Sequence, residues 1–469
     1  MLIIMLFYAI FLPTLTGFLF MSYFSRRDEK LSFFERLFLG FGLGIGMITF
    51  EMFIAALLKI QFALSLFSAI QIFTIISLAW LLFNSEYSLK QLIGLWSNGE
   101  KKEPFSKASV IRAFLVLLLA SWIVLKLFFV IYEGAIWPIY AEDSLGNWSS
   151  AAKYFFYDKA LGLEHSEHFF GRGYRTFLNY PLNIPLMQVW FSLCLGDIHE
   201  AYMKYWNAFY FISVVALLFY AMRRESSVVI AMLSAFFLSS VPLLTYHAID
   251  AYADLPLSYY ALAAAVCFRR YMEKPEDREG LLLLMGIFVA FCIWTKIEGI
   301  FFCLAYSTTL LLYFLSKRSS FKGLFKGSLF YSIPICIVGI SWFAFILLND
   351  IPGRSAFETF LSSGLHFDVI PVILDQIILS ANFNIIFVFF FLVILLGVKS
   401  IFHSDLKFLL IPLFTIMLIF LFAYITTDNY RWVTNLTAIN RNILTFIPMM
   451  YYVSALMTVH VLKLGGPVT

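Results

Sequence analysis

The residues best suited to chemistry are gathered in four short polar clusters of an otherwise apolar chain. The clusters occupy residues 141–143, 246–254, 295–299 and 428–441. A charge at the centre of a membrane helix costs about 2.5 to 3.5 kcal/mol, so charged clusters between apolar runs require a reason. Carboxylates beside Lys and Arg would supply a base for an acceptor hydroxyl and cations for a departing phosphate. We therefore predict sugar transfer from a polyprenyl phosphate, because that phosphate is already a good leaving group.

Three acidic residues are the predicted catalytic groups. Asp143 and its neighbour Glu142 follow an apolar run, where a water-borne acceptor and a lipid-embedded donor would meet. We predict Asp143 as the base. Asp254 marks the start of another apolar helix and is the predicted second carboxylate. Both also have a plainer interpretation, since Asp143 could be an interfacial charge and Asp254 a helix N-terminal charge favoured by the helix dipole.

Three cations are the predicted contacts of the donor phosphate. Lys296 precedes Glu298 by two residues, and the two side chains could instead simply pair in a tight turn. Arg441 and Arg431 suit bidentate contacts to phosphate oxygens, although each could also anchor a helix end. Three further residues are assigned to the same cavity: His247, Glu298 and Tyr180.

Composition indicates the elements that must position these residues. The chain of 469 residues is 61% hydrophobic and 13% charged, which is far too apolar for a water-facing surface. A membrane helix needs roughly 20 apolar residues. Nine runs near that length begin at Leu2, Leu37, Phe62, Ile111, Tyr205, Val228, Leu324, Phe408 and Ile443, and four shorter ones near Ala253, Leu281, Ile300 and Ile385. We predict an all-α polytopic membrane protein of about 13 transmembrane helices.

The Lys and Arg residues give this bundle a direction. Every second loop is basic, so the positive-inside rule places these loops in the cytoplasm, the N-terminus outside and the C-terminus inside. All four polar clusters then face the exterior. The predicted divisions are three leading helices (1–83), a cytoplasmic linker (84–110) and a catalytic membrane domain (111–469). Its long outer loop, 133–204, carries aromatic stretches suited to helices in the membrane interface. A bacterial plasma membrane is the expected location.

The order of short motifs resembles a known family. The matching pieces are Glu142-Asp143, Tyr180-Pro181-Leu182-Asn183-Ile184-Pro185-Leu186, Gly196, Asp254-Leu255-Pro256, Thr295-Lys296-Ile297-Glu298-Gly299, and Arg441 with Pro448. Over residues 111–462 the chain resembles the C-type (GT-C fold) glycosyltransferase superfamily, in particular protein O-mannosyltransferases and lipid A aminoarabinose transferases. The resemblance implies an inverting transfer from a polyprenyl-phosphate sugar, with Asp143 as base. It also implies a possible divalent metal, Mg or Mn, at Asp254, which some members bind and others do not need.

The expected partners are a polyprenyl-phosphate sugar, membrane lipids and a glycan, lipid or protein acceptor. No nucleic-acid partner is expected, because the net charge of +4 is small and the basic residues mark topology. Two rival functions stay open. A transporter or flippase for lipid-linked sugars would also gather charge in a membrane cavity, but on both sides of the membrane. A polysaccharide polymerase or ligase would also work at the exterior face.

Overall fold

The computed structural model describes most of the chain. The described residues are 2–26, 28, 31–85, 107–162, 168–169, 172–173, 178–275, 278–318, 320–351 and 364–465. Most of the predicted linker, residues 86–106, lies outside them. The first half of the described chain contains α1 (Leu2–Phe24), α2 (Phe33–Leu57), α3 (Leu64–Asn84), α4 (Lys107–Ile136), a π-helical segment (Ser144–Ser149), α5 (Ser150–Asp158), the strands β1 (His168–Phe169) and β2 (Arg172–Gly173), α6 (Asn183–Leu195), α7 (Glu200–Met203) and α8 (Trp206–Glu225). The two strands pair antiparallel.

The regular secondary structure described in the second half of the chain is all helical. It contains α9 (Val228–Ser239), α10 (Pro242–Ala248), α11 (Asp254–Glu273), α12 (Glu279–Thr295), α13 (Gly299–Ser316), α14 (Phe321–Leu348), α15 (Val369–Ile378), a 3-10 turn (Ala381–Phe383), α16 (Ile386–His403), α17 (Lys407–Thr426), α18 (Tyr430–Thr434), α19 (Ile439–Leu444) and α20 (Ile447–Gly465).

The predicted fold class, an all-α polytopic membrane protein, is confirmed. Each of the thirteen predicted runs corresponds to a helix, and the starts differ by at most four residues, as for Leu37 against Phe33. Within the described residues, nine helices are long and apolar enough to cross a membrane. A tenth span is possible if α9 and α10, which meet at 69°, are one broken span. The full count of thirteen therefore stays a prediction.

The leading helices pack into the bundle through close backbone approach. An added Cβ at Gly44 would lie 1.7 Å from the carbonyl oxygen of Pro13, and one at Gly17 would lie 2.0 Å from that of Gly40. Small residues of this kind let two membrane helices pack tightly. Contacts then reach the rest of the chain, because Trp190 donates a 2.8 Å hydrogen bond to the carbonyl of Ala9.

Two groups of charged side chains lie at opposite ends of the central helices α11 and α12. α11 begins at Asp254 and ends beyond Arg270, whereas α12 begins after Arg278 and ends just before Lys296. Asp254 and Lys296 are therefore at one end, and the two arginines are at the other. At that second end Asp28, which follows α1, pairs with both Arg270 and Arg278. These ion pairs attach the leading helices to the bundle.

Candidate active site

Arg441 bridges the two carboxylates that the sequence singled out. Its Nη1 donates to Oδ2 of Asp143, and its Nε donates to Oδ2 of Asp254 at 3.2 Å. These residues are 298 and 187 positions from Arg441 in sequence. Asp254 is fully buried, whereas 38% of the Asp143 side chain is exposed. The bridge therefore joins one enclosed carboxylate to one that water and ligands can reach.

Lys296 completes the cluster on the other side of Asp254. Its Nζ donates to Oδ1 of Asp254 at 2.8 Å and lies 3.0 Å from Oε1 of Glu298. A longer contact of 3.4 Å joins the same nitrogen to the amide oxygen of Asn442. The pairing of Lys296 with Glu298 is therefore observed, Lys296 also reaches the buried Asp254 carboxylate, and its contact with a donor phosphate stays a prediction.

Both cations keep their charge despite burial. Burial disfavours the charged form of Lys296, but the carboxylates of Asp254 and Glu298 outweigh it and raise the pKa of the ammonium group. Burial likewise opposes the charge of Arg441, and Asp254 and Asp143 outweigh it and raise the pKa of the guanidinium. The cluster thus holds two permanent positive charges beside an exposed carboxylate, which is the combination that phosphate departure with base catalysis needs.

Local structure explains how Lys296 and Asp254 come to face each other. Asp254 is the first residue of α11, where the helix dipole favours a negative charge. Lys296 ends α12 in an extended conformation, and α13 starts three residues later at Gly299. A Cβ at Gly299 would lie only 2.0 Å from the carbonyl oxygen of Cys292. Glycine is therefore what lets α13 turn back against α12 and hold Lys296 beside Asp254.

A buried polar network fixes the same turn from behind. Asn183, the first residue of α6, donates to Oγ1 of Thr295 at 2.8 Å and accepts from Oγ1 of Thr49 at 2.7 Å. Trp294 also donates to Thr49, at 3.1 Å. The residue before Lys296 is thereby linked to both α6 and α2. Asn183 and Thr295 both lie in motifs of the resemblance, but those motifs do not indicate that the two residues are in contact.

Aromatic rings form one wall of the cluster. The Arg441 guanidinium lies 4.8 Å from the centre of the Tyr252 ring, within range of a cation–π interaction. The imidazole of His247 stacks on the same ring, with centres 4.3 Å apart. His247 is buried, and its Nδ1 lies 3.6 Å from Oδ2 of Asp254, which is too long for a hydrogen bond. His247 was a predicted cavity residue, whereas Tyr252 was not.

The surroundings of the other three predicted site residues differ from one another. Glu142 is exposed beside Asp143. Arg431 is exposed on α18, with its guanidinium 5.7 Å from the ring of Tyr430. Tyr180 packs edge-on against Trp148, with ring centres 4.9 Å apart. The four residues that do meet are Asp143, Asp254, Lys296 and Arg441, joined by Glu298 and flanked by His247.

The residues present do not offer an open set of ligands for a divalent metal. Arg441 already occupies the position between the Asp143 and Asp254 carboxylates, and Lys296 takes the other oxygen of Asp254. Across the described part of the chain, no three His, Cys, Asp or Glu side chains converge as a metal site requires. A cation between these carboxylates would have to displace the guanidinium.

Comparisons with known proteins give a likeness of fold. No protein-family model and no curated protein sequence matches this chain. Among solved structures it is similar to ArnT from Cupriavidus metallidurans bound to undecaprenyl phosphate, with 13% identity over 73% of this chain and 59% of that one, and a TM-score of 0.49. The apo state of ArnT gives 14% identity over 75% and 60%, with a TM-score of 0.45. The chain thus covers less than two thirds of these structures.

Proposed function

We propose that this integral membrane protein is a glycosyltransferase that moves a sugar from a polyprenyl phosphate to an acceptor hydroxyl. The observation that carries the proposal is the bridge from Asp143 through Arg441 to Asp254, with Lys296 beside it. This arrangement combines a reachable base with two fixed cations in one place. We further propose that it opens to the exterior side of a bacterial plasma membrane, in keeping with the alternation of basic loops.

The proposed step balances without any further reactant. The acceptor oxygen attacks the anomeric carbon and forms the new glycosidic bond, while Asp143 takes the hydroxyl proton. The bond between the anomeric carbon and the phosphate oxygen breaks, and the electron pair leaves on the polyprenyl phosphate. Attack opposite to the leaving group inverts the anomeric centre. Arg441 and Lys296 stabilise the negative charge that develops on the departing phosphate.

The ion pair of Asp143 gives this mechanism an order of events. While Arg441 donates to Oδ2 of Asp143, the guanidinium occupies an oxygen that would take the proton of the acceptor hydroxyl. A donor phosphate that recruits Arg441 would release Asp143 to accept a proton. Binding of the donor would thus activate the base, which protects the site from reaction before the donor arrives.

The test is a transfer assay on the purified full-length chain in lipid nanodiscs with a panel of polyprenyl-phosphate sugars and hydroxyl acceptors. Asp143→Asn should abolish transfer while folding and donor binding persist. Glu142→Gln is the matched control, because Glu142 is the neighbouring carboxylate and is exposed. Equal turnover in Asp143→Asn and wild type would remove Asp143 from the mechanism. Movement of lipid-linked sugar across the bilayer without any product would instead favour the flippase.

A further inference from the structure

The segments that lead into the two site carboxylates are joined to each other by buried charges. Residues 138–141 run from the end of α4 to Asp143, and residues 249–252 run from α10 to Asp254. Each segment therefore ends two residues before a carboxylate of the Arg441 bridge. Neither segment has regular secondary structure. Contacts other than helical hydrogen bonds must therefore set the distance between the two segments.

Asp250 makes the first connection. One of its carboxylate oxygens, Oδ2, accepts from the backbone N–H of Ala141 at 2.9 Å and from that of Tyr140 at 3.4 Å. The other, Oδ1, accepts from the N–H of Ala251 at 2.6 Å. The Asp250 side chain is fully buried. A buried carboxylate that accepts only backbone N–H groups fixes a backbone geometry.

Lys204 makes the second connection between the same two segments. Its Nζ donates to the carbonyl of Pro138 at 3.0 Å and to the carbonyl of Ile249 at 2.8 Å. Lys204 is also buried, directly after α7 and two residues before α8. Its neighbour Asn207 donates to the carbonyls of Asp250 and Tyr252, so the start of α8 holds the 249–252 segment at several points.

We propose that Asp250 and Lys204 form a clasp that positions Asp143 relative to Asp254, so that Arg441 reaches both. The proposal rests on the proposed function, because it assigns these two residues as positioning residues of that site. Neither touches the Arg441 bridge itself. The negative Asp250 accepts hydrogen bonds from backbone N–H groups, and the positive Lys204 donates hydrogen bonds to backbone carbonyls. The clasp thereby fixes both the spacing and the register of the two segments.

The clasp makes a distinct kinetic prediction. Displacement of a reacting group by about 1 Å can cost about 100-fold in rate. Asp143 depends on the clasp for its position, whereas Lys296 and Arg441 come from other segments of the chain. Asp250→Asn should therefore lower kcat by about 100-fold and leave the Kd for polyprenyl phosphate within about threefold of wild type. A merely structural role for Asp250 would lower the amount of folded protein without this separation of kcat from Kd.

The experiment combines those kinetics with hydrogen exchange measured by mass spectrometry on the full chain in nanodiscs. Asp250→Asn removes the charge of the acceptor and leaves one carbonyl oxygen in place of two, so the side chain can no longer accept from both Ala141 and Ala251. Peptides covering residues 138–145 should then exchange about 10- to 150-fold faster, as expected when one hydrogen bond to a charged acceptor is lost. Lys204→Met should give the same pattern, and it serves as the second variant if Asp250→Asn does not fold.

The matched control is Asp28→Asn, which alters a buried aspartate at the opposite end of the bundle. It should lower the unfolding temperature but leave exchange of residues 138–145 and kcat per folded molecule unchanged. Unchanged exchange of residues 138–145 in both clasp variants would overturn the proposal, and so would equal loss of kcat in Asp28→Asn. Because exchange does not depend on turnover, faster exchange without any detectable transfer in wild type would support the clasp and refute the transferase.

Discussion

Replacing Asp143 by Asn is expected to tighten the binding of polyprenyl phosphate at the same time as it abolishes transfer. Under the proposed function the Asp143 carboxylate and a donor phosphate compete for the same guanidinium, because Arg441 donates from Nη1 to Asp143 in the structure. The Asn side chain keeps the size and the carbonyl oxygen of Asp143 but loses the charge. The donor phosphate then displaces a neutral partner instead of a charged one.

The size of the effect follows from what the donor must displace. A hydrogen bond to a charged group contributes about 1.5 to 3 kcal/mol, and we expect the bond that Arg441 donates to lose about 1 to 1.5 kcal/mol of this when the Asn amide leaves only the donor charged. This loss of about 1 to 1.5 kcal/mol corresponds to about a 5- to 13-fold decrease in Kd. Because 38% of the Asp143 side chain is exposed, water screens the pair and we expect the lower end of that range.

The assay measures the Kd of undecaprenyl phosphate by native mass spectrometry of the chain in nanodiscs, which requires no knowledge of the sugar. Glu142→Gln is again the control, since it removes the same charge one residue away. The affinity should rise about fivefold in Asp143→Asn and change less than twofold in Glu142→Gln. Weaker binding in Asp143→Asn would show that Asp143 contacts the donor directly rather than competing with it, and the proposed order of events would then be wrong.

Further outcomes follow from the same geometry. Arg441→Met should weaken undecaprenyl phosphate binding by more than about tenfold, because two carboxylates lose their cation, whereas Arg431→Met should leave the same Kd unchanged. Since Arg441 already bridges those carboxylates, EDTA should not alter the rate of transfer, and a rate that returns only with added Mg²⁺ or Mn²⁺ would contradict this. Gly299→Ala should lower the free energy of unfolding by about 1 to 3 kcal/mol or more through its clash with Cys292, while Gly339→Ala, which has open space around it, should be neutral in a thermal unfolding assay.

The fold could be predicted from the sequence because its determinants are local. Apolar run length and the placement of Lys and Arg are written within single segments, and each predicted run corresponds to a helix. The same local reasoning fails where a helix is short or broken. α9 has only 12 residues and bends by 69° into α10, a break that a run of apolar residues does not reveal. Likewise, α12 has 17 residues, fewer than a membrane span usually needs.

The site was only partly predictable, because its contacts join distant positions. The positive-inside rule predicted that the four clusters share one face of the membrane. That rule could not show whether Arg441 or Arg431 belongs to the site. Which arginine reaches Asp143 depends on the packing of two short helices. The sequence pattern did not indicate a role for Asp250 or Lys204. Their partners are backbone N–H and carbonyl groups, which do not depend on the residue type of the partner. A buried charge that binds backbone can be recognised only when both segments are in place.

The two charged clusters at the ends of α11 and α12 differ in how far their side chains are exposed to solvent. At one end Asp28 lies between Arg270 and Arg278, and all three side chains are at most 4% exposed. Such a buried network attaches helices, and both arginines also pair with Glu273, so the network is held by several ion pairs at once. At the other end the same kind of bridge leaves 20% of Arg441 and 38% of Asp143 open. A purely structural ion pair gains nothing from that exposure, whereas a base and a phosphate contact require it. The open end of the bundle is therefore where we expect substrates to bind.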